Sequence, residues 1–131
     1  MAQIVPQAYR DLLEKPAIAH LATIMPSGVP QVSPVWIDFD GTYLLVNSAR
    51  GQQRDKNMQA RQYVGLEISD PQNPYRYLSV RGRVVEITEE GADAHIDKLA
   101  RKYMGAESYP DRAPGEVRCI YKIEPMRIDT R

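Results

Sequence analysis

What this sequence has little of narrows it first. One cysteine, Cys119, stands in 131 residues. No disulfide can close within the chain, and the C-x-x-C and Cys/His metal spacings are absent. The two histidines, His20 and His95, belong to no compact ligand motif, so no metal site is expected. Seventeen basic residues meet seventeen acidic ones. Nucleic acids and acidic membranes call for a broad basic face. Neither is an expected partner, and any anion site must be local. No apolar run approaches the ~20 residues that a bilayer-spanning helix needs. The opening "MAQIVPQAYRDLL" has no basic stretch leading into an apolar one, so it does not read as a signal peptide. The cytoplasm is the expected compartment.

What is present reads as one globular domain over residues 1–131. Hydrophobic residues at 43% and charged residues at 26% are ordinary for such a domain. Ten prolines and eight glycines are dispersed, which predicts many turns. "PQAYRDLLE" (6–14) suits a short helix, started by Pro6 and stopped by Pro16. "AIAHLATIM" (17–25) reads as a buried strand, "PSG" as a turn and "VPQVSPVWIDF" (29–39) as the returning strand. Pro30 and Pro34 lack amide donors, which predicts that they lie at an edge, a bulge or the lip of a site. "DG" (40–41) marks a hairpin into "TYLLVN" (42–47). A helix is expected over 52–61, strands over 63–69 and 75–88 joined by a loop, a helix over 92–105 ending at Gly105, and a last strand over 117–128 broken at Pro125. The order α-β-β-β-α-β-β-α-β has no regular βαβ repeat. It predicts a mainly β fold with flanking helices, an antiparallel barrel whose closure removes exposed edges.

The stretch "NSARGQQRDKNMQAR" (47–61) concentrates Arg50, Arg54, Lys56 and Arg61 against one acid, Asp55. It passes from strand through turn into helix. A helix start presents free N–H groups and partial positive charge. With Ser48, Arg54 and Lys56 beside it, and Arg50 as a further donor, the chemistry suits a phosphate. A solvated basic helix face has the same composition, and the residues alone leave both readings open. In "PQVSPVWI" (30–37), Gln31, Ser33 and Val35 share one side of a strand that can line a flat ligand or face solvent. In "NPYRYLSVRGR" (73–83), Tyr75 and Tyr77 can stack on a ring or pack at an interface. No Ser/His/Asp or Cys/His set is legible, so any redox chemistry belongs to a bound cofactor.

"HLATIMPSGVPQVSPVWIDFDGTYLLVNSARGQQRDKNMQ" followed by "YLSVRGRVVEI" resembles the pyridoxamine 5′-phosphate oxidase-like flavin-binding split barrels. "HIDKLARKYMG" with "YP" (109–110) is similar to the subgroup assigned to the deazaflavin coenzyme F-420. The resemblance covers residues 17 to about 124. It implies a six-stranded antiparallel split β-barrel, and a homodimer with two cofactor sites at its interface. Carried over by position, Ser48, Arg54, Lys56 and Asn57 match the phosphate side. Gln31, Ser33, Pro34 and Val35 match the strand beside the ring, and Asn47 the ring or ribityl chain. Tyr75 and Tyr77 would approach from the partner subunit. The chain departs from the family pattern in ending "MRIDTR", without the aromatic residue that often closes it near the ring. The additional substrate-binding arginine and histidine residues of true pyridoxamine phosphate oxidases find no match, so vitamin metabolism is not expected.

The function so implied is hydride transfer from reduced F-420 to a small conjugated organic acceptor, with no side chain assigned as acid or base. The alternatives are an FMN-dependent oxidoreductase of the same fold and a non-catalytic flavin-binding module. Arg50 and Arg61 favour F-420, because its tail beyond the phosphate is acidic.

Overall fold

The computed structural model describes residues 2–131. A 3-10 turn, Gln7–Tyr9, leads into a single turn of helix, α1 (Asp11–Glu14), where the sequence predicts one helix over 6–14. The strands are β1 (Ala19–Ile24), β2 (Pro30–Val35), β3 (Asp38–Phe39) and β4 (Leu44–Ala49), then β5 (Tyr63–Asp70), β6 (Asn73–Thr88) and β7 (Arg118–Thr130). Helix α2 (Gln53–Ala60) follows β4, and α3 (Ala92–Met104) follows β6. The elements come in the expected order with two differences. Residues 29–39 form two strands rather than one, which makes seven strands instead of six. The last strand runs through Pro125 instead of breaking there.

All seven strands lie in one antiparallel sheet, in the order β2-β1-β5-β6-β7-β4-β3. Its two edge strands, β2 and β3, are consecutive in the chain. From Val35 to Asp38 there are only three Cα–Cα steps, which reach about 11 Å at most. A sheet whose first and last strands stand that close must curl on itself. The edges meet through the covalent link Trp36–Ile37 rather than through hydrogen bonds, and that is a split barrel. Ile37 is fully buried, which pins the crossing to the core.

The core fills the curl. Leu21, Leu44, Val46, Ile68, Leu78, Tyr121 and Ile123 come from five strands, and Leu12 and Leu13 of α1 plug one end. Strand alternation accounts for most of this, since β5 buries every second residue from Val64 to Asp70. Pro125 is tolerated because the β6–β7 register shifts beside it, between Arg81 and Gly82. A bulge there absorbs the missing donor. Gly82 is required at the same point: a Cβ on it would lie 2.5 Å from Ile123 Cγ2 and 3.2 Å from the Glu124 carbonyl oxygen.

Helix α2 is seated by buried polar groups instead of an apolar face. Gly51, at φ +92°, turns the chain out of β4 in the left-handed region that favours glycine. Its N–H donates to Asp55 Oδ2 at 2.9 Å. No helix among the described residues is long and apolar enough to cross a membrane.

Candidate functional site

A cavity of about 320 Å³ opens where β2 runs into the crossing, between β4, α2, α3 and the loop after α3. Pro34, Val35 and Trp36 form one wall, with Ile18 and Ile96 extending it. Asn47, Arg54, Arg118, Tyr109 and Asp111 supply the polar side. The apolar wall is rigid for identifiable reasons. The Trp36 ring stacks on Tyr103 with centroids 5.2 Å apart and planes 5° from parallel. Tyr103 is itself pinned: its hydroxyl donates to the Ala17 carbonyl at 2.7 Å and accepts from the Ile37 N–H at 3.0 Å. Burial pushes the Tyr103 phenol up to about 12, so it stays a neutral donor. Tyr109 meets the other side of Trp36 edge-on, at 6.0 Å.

Two guanidiniums face this cavity. Arg54, from the first turn of α2, donates from Nε to Ser48 Oγ at 2.8 Å. Ser48 in turn donates to Gln52 Oε1 at 2.9 Å. No carboxylate stands within ion-pair distance of Arg54 among the described residues. Burial lowers its pKa, and the positive charge of Arg118 lowers it further. A guanidinium remains charged through such a shift. Arg118, at the start of β7, lays its guanidinium over the Tyr109 ring at 5.1 Å. It donates from Nε to Asn47 Oδ1 at 2.9 Å, and its Nη1 lies 3.3 Å from Glu116 Oε2.

Behind Asn47 runs a buried polar chain. Asn47 Nδ2 donates to the Ala92 carbonyl at 2.8 Å and lies 3.2 Å from His95 Nδ1. His95 Nε2 meets Asp38 Oδ2 at 3.0 Å, and Lys98 Nζ reaches the same oxygen at 3.0 Å. Burial alone would raise the Asp38 pKa. The hydrogen bonds from His95, the Phe39 N–H and Lys98 outweigh it and hold the carboxyl well below the usual carboxylate range.

Of the residues expected at a cofactor site, Pro34, Val35, Asn47 and Arg54 line this cavity. Ser48 lies fully buried beneath Arg54 and aims it. Gln31 and Ser33 sit further along β2, on the side that Val35 shares. Gln31 accepts from Thr23 Oγ1 at 3.2 Å, and Ser33 Oγ is buried without a hydrogen-bond partner. Arg50 is turned to the surface, where it pairs with Glu89 at 3.0 Å. Lys56 is exposed on α2. Asn57 is fully buried. Its Nδ2 donates to Thr23 Oγ1 at 3.0 Å, and its Oδ1 accepts from Gln53 and Arg61, so its amide seats the helix on β1. Arg61 follows the opposite end of α2, donating to the Ile24 carbonyl at 2.6 Å. Tyr75, 76% exposed, and Tyr77 begin β6 and do not line the cavity within one chain.

Arg118, Tyr109 and Asp111 are the site residues that motif reading missed. Alternation along β7 places Arg118 on the same side as Ile120 and Lys122, which reads as a solvent face. Only the packing of α3 and the following loop over that face buries it. A larger and more open groove of about 600 Å³ lies between Met58–Tyr63 and Val84–Ile87. It carries none of the expected cofactor residues and only Arg61 and Glu86 as charges, so the smaller cavity is the candidate site.

The cavity fits a flat ring bearing a phosphate. It has an apolar strand wall, and at its polar end a guanidinium, Arg54, that no carboxylate among the described residues pairs with. The pattern of residues 5–131 matches the sequence profile of pyridoxamine 5′-phosphate oxidase. No curated protein matches the chain. Among solved structures, an F420 reductase is 35% identical and superposes with a TM-score of 0.83, covering 95% of this chain and 98% of its own. A conserved hypothetical protein from Mycobacterium tuberculosis is 22% identical at a TM-score of 0.73, covering 99% of this chain and 87% of its own. A protein of unknown function from Agrobacterium tumefaciens is 19% identical at 0.75, covering all of this chain and 59% of its own. These two likenesses concern the fold alone. With the profile matched over nearly its whole length, this split barrel belongs to the pyridoxamine 5′-phosphate oxidase family.

Proposed function

We propose that this chain is an oxidoreductase that binds reduced coenzyme F-420 and passes a hydride to a small conjugated organic acceptor, working as a homodimer. The observation that carries the reading is Arg54. A half-buried guanidinium with no carboxylate partner is an expensive arrangement unless an anion completes it, and it stands at the end of a wall made by Pro34, Val35 and Trp36. When bound, the cofactor supplies the two-electron chemistry. The protein's own groups bind and orient it: Arg54, aimed by Ser48, takes the phosphate, and Lys56, exposed on the same helix and outside the cavity lining, adds positive charge at longer range. The apolar wall excludes water from one face of the ring.

The likeness to an F420 reductase at 35% identity supports F-420 over FMN. Arg50 and Arg61, which the sequence suggests for an acidic tail, do not add to that support. Arg50 is engaged by Glu89, and Arg61 is held at the far end of α2. FMN in the same cavity is the second reading, since it shares the ring shape and the phosphate.

Titration of F-420 and FMN separately, followed by fluorescence, tests the proposal with wild type, Arg54→Ala and Lys56→Ala. We expect F-420 to bind wild type more tightly. Loss of Arg54 should weaken it roughly ten- to a hundredfold, as removal of a charge-assisted hydrogen bond does, and loss of Lys56 should weaken it less. Binding of neither cofactor, or binding indifferent to Arg54, would overturn the site. Oxidation of the reduced cofactor with a panel of enones and quinones then separates an enzyme from a carrier module, which binds without turnover. Light scattering decides the dimer.

A further inference from the structure

We propose that Arg118 is a second phosphate-binding arm of this cavity, aimed by the buried chain Asp38–His95–Asn47. The proposal rests on the cofactor reading above and extends it to three residues outside the phosphate segment, Arg118, Asp38 and His95.

Asp38 accepts from His95 Nε2 and from Lys98, so the imidazole carries its proton on Nε2 and presents an Nδ1 lone pair. That lone pair accepts from Asn47 Nδ2, whose other hydrogen goes to the Ala92 carbonyl. Both amide hydrogens are then committed, and the amide cannot flip. Its oxygen is forced toward Arg118 and accepts from Nε. Each link determines the next, and the last one fixes Nε of Arg118 on Asn47, with the guanidinium over the Tyr109 ring at the cavity that both residues line.

The Arg118 side chain is only 6% exposed, and Arg54 lines the same cavity. Two guanidiniums at one end of a part-buried cavity repel each other, and a phosphate is the ligand group whose negative charge and several oxygens relieve both. Glu116 does not fill that role. Its Oε2 lies 3.3 Å from Arg118 Nη1, yet is buried without a hydrogen bond, so the pair is off hydrogen-bond geometry. Asp111 stands exposed at the mouth. Glu116 therefore competes with the incoming anion for Arg118 without satisfying it.

The test compares ligands with and without the phosphate: FMN against riboflavin, which differ in nothing else, and F-420 against the riboside that lacks both its phosphate and its acidic tail. Wild type should prefer the phosphorylated member of the pair it binds. Arg118→Met should reduce that preference roughly ten- to a hundredfold and leave the affinity for the phosphate-free member unchanged, which a merely structural loss would not do. Asp38→Asn and His95→Leu should reduce the same preference by a smaller factor. Glu116→Gln should raise it severalfold, because it removes the competing carboxylate. This variant keeps the proposal testable if Arg118→Met does not fold. A preference undiminished in Arg118→Met, or undisturbed in Glu116→Gln, would overturn the second arm and leave the cofactor reading standing. Wild type that binds neither member of either pair would overturn both.

Discussion

Tyr121 donates its hydroxyl to Asp55 Oδ1 at 2.6 Å, and by that bond the last strand carries the helix that presents Arg54. Both residues are buried, Tyr121 fully and Asp55 to 4% exposure. Burial opposes the ionised Asp55. The hydrogen bonds from Tyr121, the Gly51 N–H and Gln59 outweigh it and keep its pKa low. Burial, and then the Asp55 charge, push the Tyr121 phenol far up. Tyr121→Phe removes one donor and leaves a buried carboxylate short of a partner. It should destabilise the fold by about 1–3 kcal/mol, read as a lower urea midpoint. Because Asp55 is on α2 with Arg54, cofactor affinity should fall as well. An unchanged midpoint would mean that Gly51 and Gln59 suffice.

Asp38 makes stability depend on acid. Its folded pKa is depressed, so its contribution is complete above the unfolded carboxylate value of about 4 and drains away as pH falls below it. Asp11 acts in the same window, held at about 2 by its hydrogen bond to Arg76. Wild type should therefore lose stability between about pH 5 and 3. Asp38→Asn should start lower at neutral pH and fall less steeply, with Asp11 responsible for part of the remaining slope. Urea midpoints across this range check it, and parallel curves for the two proteins would contradict it.

Lys102 adds a second rise of stability with pH, in the alkaline range. It ties α3 to the barrel by donating from Nζ to the Leu13 carbonyl at 2.6 Å and the Ile37 carbonyl at 2.7 Å. Burial lowers its pKa to about 8. Between about 8 and its unfolded value of about 10.4, the unfolded chain binds the extra proton, so this group's contribution rises with pH. Relative to Lys102→Met, wild type should gain stability as pH climbs from 8 to 10. The difference between the two melting curves isolates it from the tyrosines.

Gly82 tests the barrel's tightest contact. Gly82→Ala should destabilise by about 1–3 kcal/mol, the usual range for overpacking, and lower Tm by several degrees. Ile123→Ala opens the space that the new methyl group needs. The double variant should therefore be less destabilised than the sum of the singles. Strict additivity would mean that the backbone, not Ile123, resists the methyl.

The barrel was largely legible because its signals are local. Alternation, the "DG" turn and the prolines mark strands within a few residues of themselves. Two features escaped. The split of 29–39 into β2 and β3 depends on Trp36 stacking against Tyr103, a residue 67 positions away in the chain. The continuity of β7 through Pro125 depends on a register shift opposite Gly82, which no local pattern announces.

The site divides in the same way. The sequence by itself determined that positive charge gathers after β4, and that Pro34 and Val35 belong to a strand whose prolines lack amide donors. Both are matters of neighbours in the chain. Which of those charges face a ligand was decided by tertiary structure. Arg54 points inward because Ser48 and the turn at Gly51 aim it. Asn57 is sealed under Thr23, and Arg50 is drawn off by Glu89. Arg118 reads as a surface residue until α3 and the following loop cover it. Burial and charge pairing arise from contacts between distant segments, and those contacts alone turn a run of basic residues into a site.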